Sequence, residues 1–493
     1  MSRRPSLVTA GLAPLVLTAC TTVGPDYQAP APELPDAHPA DLASVTGPTA
    51  ADLGQPMPDL DLVAWWTAFD DPLLTELVER ATAGNLDLAG ALARIAETEA
   101  VLGVERAAAG PRADLSAAYA RTGVSENTQF GLFPGQSRES DAWTVGLGAS
   151  WELDLWGKNE RRIEAAAATY EAELENLAAV RVSLVAQVGD AYLRLRELQR
   201  RRAIAVVNLD ALERGLETAE VRHGAGLVEE LDVLRARTEL ESSRAVLPGL
   251  DRATSGVVTE LELLAGLEPG SLAAELAPAE ARPTIPSPRG RVADQVPVDL
   301  LRRRPDLRAA ERSLAAQTAR VGVAEAELYP SLSLAGSLGL ESELLENLPK
   351  ATSVTHALTP SLSLPLFSGG GLRANVRAAD ARVEQALVAY ETTLLAALHE
   401  VDTAARGIAY EGARLDALDE AQASAAETLE RSNVLYREGL ATIDAVLDAR
   451  RALYAIEDSR AEAEAAAARA HVDLYRALGG GWSAPAKEEP GAR

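Results

Sequence analysis

Side chains that commonly perform catalysis are present in this sequence, but they form no recognisable constellation. His223, His356 and His399 are scattered along the chain, and their spacing fits no metal site. No Ser/His/Asp set and no Gly-rich phosphate motif stands out. We therefore expect the protein not to be an enzyme and to hold no metal or cofactor. Its function has to be sought in its architecture.

The one cysteine, Cys20, is a candidate for covalent lipidation. Two early arginines, an apolar run and then Leu17-Thr18-Ala19 precede it, as in a secretory signal peptide. This order resembles the bacterial lipobox, which implies a signal peptide over residues 1–19 and a lipid on Cys20. Each buried methylene of an acyl chain contributes about 0.8 kcal/mol, so the N-terminus should be anchored to a membrane. The alternative is a chance cysteine beside an ordinary cleavage site.

The residue after the cysteine also carries information about location. In bacterial lipoproteins an Asp there is associated with retention in the inner membrane, whereas this chain has Thr21. The resemblance therefore implies export to the outer membrane.

A run of three arginines, Arg302, Arg303 and Arg304, could suggest a site for anionic lipid or nucleic acid. The net charge of −26 argues against a nucleic-acid partner. Pro305 suits the first position of a helix, and Asp306 complements the dipole at a helix N-terminus. We therefore interpret the run as structural.

The chain is a tandem duplication. Residues 226–237 return at 439–450, with six of twelve positions identical. Matching glycines and prolines argue against chance similarity between Ala-rich helices. This predicts the following division: an extended Pro-rich segment (20–58), a first repeat (59–267), a Pro-rich linker (268–298), a second repeat (299–481) and a flexible tail (482–493).

Each repeat contains two stretches that alternate between apolar and small or polar residues. They lie at about 113–155 and 331–366. A period of two predicts strands with one apolar face, and about nine to eleven residues suffice to cross a bilayer as a tilted strand. Soluble half-buried strands alternate in the same way. Trp143 and Trp151 favour membrane strands, because aromatic residues cluster at membrane interfaces.

Very long helical runs follow each strand pair, at about 158–222 and 372–437. Each would extend roughly 95 Å. Apolar residues at steps of three and four form a seam for a partner helix, and a second, weaker set broadens this face. Two seams suit a helix in a cylinder wall, although a solid bundle has the same pattern.

Shorter helices complete each repeat. One begins near Pro72 or Pro305, before the strands, and another covers 229–266 or 442–479, after a turn. The predicted fold is therefore mainly α with a transmembrane β portion.

Four strands in one chain are too few to close a membrane barrel. Open edges would leave backbone groups unpaired in hydrocarbon, at several kcal/mol each. The smallest single-chain barrels have eight strands, so two chains would give this minimum and three would give twelve. These arguments do not choose between the two numbers.

Four segments carry a resemblance to a known family. They are Cys-Thr-Thr-Val-Gly-Pro-Asp-Tyr (20–27), Asp-Leu-Trp-Gly (154–157), Val-Pro-Val-Asp-Leu-Leu-Arg-Arg-Arg-Pro-Asp-Leu (296–307) and Pro-Leu-Phe-Ser-Gly-Gly (365–370). In this order they resemble TolC-like outer-membrane factors, in the lipoprotein branch that serves tripartite RND-type efflux systems. The resemblance covers nearly the whole mature chain.

The resemblance implies a homotrimer whose twelve-stranded β-barrel continues as an α-helical periplasmic barrel. It implies that a periplasmic adaptor protein and an inner-membrane efflux pump are partners, and that outer-membrane lipids surround the barrel. The expected function is a passive export duct for small amphiphilic compounds. One alternative is the outer-membrane factor of a protein-exporting system, and another is a periplasmic coiled-coil scaffold lipoprotein. The lipobox and the arginine run favour the efflux branch.

The resemblance also implies a gate at the periplasmic tip, where the helix turns at Gly226 and Gly439 lie. Family members constrict there through acidic rings, and Asp448 matches one of the constricting aspartates. Ala445 replaces a second aspartate that some members carry, with Asp444 beside it. The alternative is that Asp448 is one more solvated helix charge.

Neighbouring cations could control such a gate. Its opening could be controlled by bonds such as those available to Arg450 or Arg451. The predicted gate residues are therefore Asp448, Asp444 and Arg451.

Overall fold

The structure is a computed structural model that describes residues 22–30, 62–125, 127, 138–278, 283–288 and 302–483. Cys20, the predicted signal peptide and most of the Pro-rich segment lie outside these residues. The described chain divides into two compact units. The first contains Arg94–Leu174 and Ala309–Tyr390 with residues 22–30, and the second contains the remainder.

The first unit contains an antiparallel sheet of four strands in the order β1-β2-β3-β4. The strands are β1 (Arg112–Gly123), β2 (Glu139–Leu153), β3 (Ser331–Ser342) and β4 (Val354–Ser363). Each repeat thus supplies one hairpin, and the two hairpins pair through β2 and β3. The strands β1 and β4 form the two edges.

One face of the sheet is apolar. The register aligns Leu115 with Leu147 and Leu147 with Leu338. Leu358, from β4, is 73% exposed, and Leu115 is 77% exposed. His356, opposite Leu338, is a polar exception on this face. The alternation predicted from sequence therefore places large apolar side chains together on one face. The described residues of the chain do not cover this face.

The opposite face carries small and polar residues. Ser116 pairs with Gly146, Gly146 with Gly339, and Gly339 with Thr355. Because the side chains of a strand alternate between faces, a register shift of one residue would exchange the two surfaces. The register therefore fixes which surface is apolar.

Helices make up most of the described chain. They are α1 (Pro72–Gly84), α2 (Leu86–Ala108), α3 (Lys158–Gly224), α4 (Glu230–Arg244), α5 (Val246–Leu264), α6 (Pro305–Ala326), α7 (Gly371–Arg437) and α8 (Ile443–Ala477). A mainly helical fold with an antiparallel sheet is thus confirmed. Among the helices that the structure describes, we find none with the combination of length and hydropathy that a membrane span requires.

The single helix predicted over 229–266 is wrong in one respect, because the structure divides it at Ala245 into α4 and α5. Pro248 supplies the reason. In a continuous helix its missing N–H could not donate to the carbonyl of Arg244, and its ring would collide with that carbonyl.

The helix expected from Pro72 to about residue 109 is also divided. Asn85 separates α1 from α2, and its side-chain oxygen accepts hydrogen bonds from the N–H groups of Asp87 and Leu88. Asn is favoured as an N-cap because it satisfies such free N–H groups. Its amide also donates to the carbonyl of Leu264, which ties this break to the end of α5.

An N-terminal strap, residues 22–27, packs on α3 and α6 in the first unit. The N–H of Val23 donates to the carbonyl of Trp156 at 3.0 Å. The side chain of Arg161 donates to the carbonyls of Val23 and Gly24 and to Asp26. Gly24 lies so close to Gly322 that a Cβ on it would come within 2.4 Å of that residue's Cα. Sequence reasoning did not predict this contact.

The core of the second unit forms around two aromatic rings. Trp65 and Tyr475 stack with their centroids 5.2 Å apart, and both are almost fully buried. Tyr192, also buried, donates its hydroxyl to Asp71 at 2.6 Å. Asp71 is the N-cap of α1, so one carboxylate joins the start of this helix to α3.

Arg304 is structural, as the sequence predicted. Its guanidinium is buried and bonds Asp306, Glu400 and the carbonyl of Ala477. Pro305 begins α6. Because a buried charge is tolerated only when paired, these three acceptors explain an arginine at this position.

Candidate functional site

Two turns in the second unit have the same backbone geometry. The α3–α4 turn contains Gly226 with φ 71°, and the α7–α8 turn contains Gly439 with φ 76°. Leu227 N–H donates to the carbonyl of Arg222 at 2.9 Å, and Leu440 N–H donates to that of Leu435 at 2.9 Å. This bond, five residues back, is typical of a Schellman motif.

Glycine is required at the two turns because the motif needs a left-handed residue. A Cβ in that conformation approaches the following carbonyl and costs roughly 1–2 kcal/mol. Nothing lies within 4 Å of a Cβ placed on either glycine, so space is not the constraint. Both repeats therefore have glycine at this position because the backbone there adopts a positive φ.

The helices that meet at these turns share an apolar cluster, which we call the tip cluster. Its buried members are Leu209, Leu212, Ala219, Val233, Ala236, Leu240, Tyr436, Ile443 and Leu447. They come from α3, α4, α7 and α8. The two helical hairpins thus pack on each other through this cluster.

Arg222 and Tyr436 connect the two turns. The guanidinium of Arg222 donates to the carbonyl of Tyr436 at 2.9 Å and lies 4.7 Å from the centre of its ring. Burial raises the pKa of the Tyr436 hydroxyl. An arginine stacked on a tyrosine gains a cation–π interaction of about 0.5–2 kcal/mol. This contact stabilises the end of α7 against α3.

The predicted gate residues lie in a charged cluster between α4 and α8, which we call the tip charges. Arg235 donates to Asp444 at 2.7 Å. Arg451 donates to Glu239 at 2.7 Å and to Asp448 at 2.6 Å. The hydrogen bond to Glu239 is the largest cause of the raised pKa of Arg451.

The structure therefore brings Asp448 and Arg451 together and gives Asp444 a different partner. Of the two arginines considered for control of the gate, Arg451 bonds Asp448. Burial lowers the pKa of Arg450, and the nearby Arg214 lowers it further. The side chain of Asp448 is 69% exposed, so its carboxylate remains accessible to ions.

Sequence reasoning missed Arg235 and Glu239. Both partners lie more than 200 residues from the groups they bond, so no local spacing could reveal the pairs. The repeat held one signal, because Arg235 occupies the position that corresponds to Asp448.

The tip charges can join two helices and present a carboxylate, but they offer no catalytic arrangement. Exposed ion pairs contribute about 0–1 kcal/mol each, because water and salt screen them. Such pairs can form and break at little cost.

Comparison with known proteins gives a consistent result. The sequence profile described as outer membrane efflux protein matches residues 77–267 and 296–480, once in each repeat. Nodulation protein T of Rhizobium leguminosarum bv. trifolii is 32% identical over 473 residues, which cover 96% of this chain and 97% of that protein. The toluene efflux pump outer membrane protein TtgI of Pseudomonas putida is 31% identical, covering 95% of this chain and 97% of its own length.

A solved structure agrees with these relatives. The outer-membrane channel OprN superimposes with a TM-score of 0.82 at 34% identity, and the match covers 93% of this chain and 99% of that one. The chain therefore belongs to the outer membrane efflux protein family.

Proposed function

We propose that this outer-membrane efflux channel works as a homotrimer whose twelve strands close a barrel in the outer membrane. The observation that carries the proposal is the open sheet. Its edges, β1 and β4, have no neighbouring strand among the described residues, and its exposed leucines form one apolar face. A lipid environment would favour that face and would disfavour free edges.

Association of identical copies can pair the free sheet edges and form a barrel whose apolar face contacts lipid. Pairing β4 of one chain with β1 of the next would close the sheet, and three chains would supply twelve strands. The resemblance to TolC-like factors supports three rather than two. The helices of each copy would then continue the barrel into the periplasm, where an adaptor protein and an inner-membrane pump would meet them.

The name of one relative supports the proposed cargo class. The chain would act as a passive duct, with energy coming from the partner pump. TtgI is named for a toluene efflux pump, which supports small apolar or amphiphilic cargo. We assign no chemistry on the cargo to this chain.

The gate would lie at the turns of Gly226 and Gly439. Three copies of Asp448 around an axis would form an acidic ring, which attracts cations as charged rings do in pores. The pairs of Arg235 with Asp444 and of Arg451 with Glu239 join α4 to α8. They would hold the two hairpins together when the gate is closed.

Detergent extraction of the outer membrane, native mass measurement and planar-bilayer conductance test this proposal together. The expected result is a species of three mature chains that conducts ions. A water-soluble monomer that needs no detergent would contradict the trimer and the duct alike.

The lipid anchor has a separate test, because Cys20 lies outside the described residues. Cys20→Ala should abolish incorporation of labelled palmitate. Unchanged labelling would show that the lipid is attached elsewhere, or that the lipobox is not used.

A further inference from the structure

The first unit contains a cavity of about 310 Å³ that the proposed duct does not yet explain. Residues of α2, α3, α6 and α7 line it, and all of them belong to this unit. Pockets for small molecules range from about 300 to 1,000 Å³, so a compact organic molecule matches this size. We call it the arginine cavity because three of its lining residues are arginines.

Three arginines from three helices line the cavity: Arg162 of α3, Arg320 of α6 and Arg382 of α7. None of them makes an ion pair or hydrogen bond within the part of the chain that is described. The neighbouring Arg161, in contrast, is bonded to both Asp26 and Glu164 at 2.7 Å. The three guanidinium groups are therefore available to a ligand.

The negative groups of the lining come from one side. Glu97 and Glu105 both belong to α2, so the cavity carries one more positive than negative charge. The chain as a whole has a net charge of −26. A local positive excess in such a chain would select anions, because guanidinium groups bind carboxylates and sulfonates through paired hydrogen bonds.

Most of the remaining lining residues are alanines and valines, with Thr98, Thr169 and Asn375 as the polar members. Ala165, Ala324 and Ala379 are buried, and Val101 adds a branched side chain. Small side chains create the volume, and their methyl groups favour an apolar ligand body. The lining thus combines an anion site with an apolar surface, which is the chemistry of an amphiphilic anion.

The contacts described above for the N-terminal strap involve other residues than those that line the cavity. On α3 the strap contacts Arg161, while the next residue, Arg162, lines the cavity. Successive helix residues are rotated by about 100°, so the two arginines point to different faces. On α6 the strap packs on Gly322, whereas Val323 lines the cavity. The strap and the cavity therefore use separate surfaces of the same helices.

We propose that the arginine cavity binds amphiphilic anions, such as a sulfonate or carboxylate on a body of one or two rings, during export. This inference rests on the proposed duct, and it names a preferred class of cargo. The three arginines would hold the anionic group, and the alanines would contact the rings.

The test uses the full chain in nanodiscs of neutral phosphatidylcholine. Calorimetric titration compares 1-naphthalenesulfonate with 1-naphthylmethylammonium, a cation of similar size. The wild type should bind the sulfonate at least tenfold more tightly than the cation. The triple variant Arg162→Gln, Arg320→Gln, Arg382→Gln should lose that preference, while Arg252→Gln, on α5 in the second unit, should keep it. Ala379→Leu, which fills the cavity, should weaken binding of both probes.

Thermal melting of each variant separates loss of binding from loss of folding. Equal affinity for the two probes, or unchanged sulfonate binding in a folded triple variant, would overturn the inference. Conductance of the same samples reports on the duct independently. Channels that conduct without sulfonate preference would remove only this inference. Because all the lining residues named above belong to one chain, failure to form trimers would leave the binding test intact.

Discussion

At the scale of residues, Asp448 and Glu239 share one cation but differ in environment. Both accept from Arg451, yet the side chain of Asp448 is 69% exposed and that of Glu239 is 17% exposed. Solvent screens the ion pair of Arg451 with Asp448 more strongly than its pair with Glu239. Glu239 therefore anchors the arginine, and Asp448 keeps a carboxylate that solvent can reach.

Replacing Asp448 with Ala should raise single-channel conductance or lower cation selectivity, because each copy would lose one carboxylate at the proposed gate. Planar-bilayer recording in a salt gradient measures both quantities. Asp416→Ala, which removes a carboxylate from α7 away from the tip charges, serves as the control. Currents identical to those of the wild type would remove Asp448 from the gate.

His471 should make stability depend on pH. Burial lowers its pKa below 6.5, although a hydrogen bond to the carbonyl of Ala467 partly opposes this. The unfolded chain then binds more protons below pH 6.5, so the free energy of unfolding falls as pH drops through that value. For this one group, the free energy of unfolding can change by at most about 1.4 kcal/mol per pH unit.

The variant His471→Gln should lose this contribution. Melting temperatures at pH 7.5 and 5.5 measure the effect, and the decrease on acidification should be smaller in the variant than in the wild type. An equal decrease in both proteins would assign the pH dependence to other groups.

Repeat matching and family resemblance act on local patterns, so they could propose Asp448, Asp444 and the two glycines, whose place in a gate stays a prediction. They could not identify Arg235 or the bond from Arg222 to Tyr436. Those contacts join residues far apart in sequence, and their formation depends on how two hairpins pack. The arginine cavity was hidden for the same reason.

At the scale of elements, strand alternation and helix periodicity located the main segments. Breaks within helices were harder to predict, since Ala245 is itself a good helix former. The division of α4 from α5 depends on Pro248, three residues further on. The division at Asn85 depends on a side-chain cap that competes with helix continuation.

The two turns make an element-scale prediction. Gly439→Ala should reduce the free energy of unfolding by roughly 1–2 kcal/mol, because alanine is disfavoured at positive φ. Gly412→Ala is the matched control within α7, where a new Cβ meets no atom within 4 Å. That change should stabilise by up to about 1 kcal/mol, since alanine favours helix.

Chemical denaturation of the two variants in the same detergent gives the comparison. Equal stability of both would contradict the argument that the turn geometry demands glycine.

At the scale of the whole molecule, the sheet faces predict how the protein meets its surroundings. Leu358 and Thr359 are neighbours on β4 that point to opposite faces. An arginine on a lipid-facing strand position costs about 2–4 kcal/mol near the bilayer centre. Leu358→Arg should therefore reduce the amount of trimer in outer-membrane fractions, while Thr359→Arg should leave it near the wild-type amount.

Quantitative immunoblotting of unheated membrane samples measures trimer for both variants. Equal amounts of trimer would mean that the leucine face does not contact lipid.

The tip charges also limit which sequence exchanges between the two repeats the protein can tolerate. Arg235 bonds Asp444, whereas the matching positions of the opposite repeats hold Asp448 and Leu231. Recombination that made both halves like the first would set an arginine against a leucine, and the reverse event would set two aspartates against each other. The two repeats must therefore keep different residues at these positions. A sequence exchange between them would remove the ion pair of Arg235 with Asp444, which joins α4 to α8.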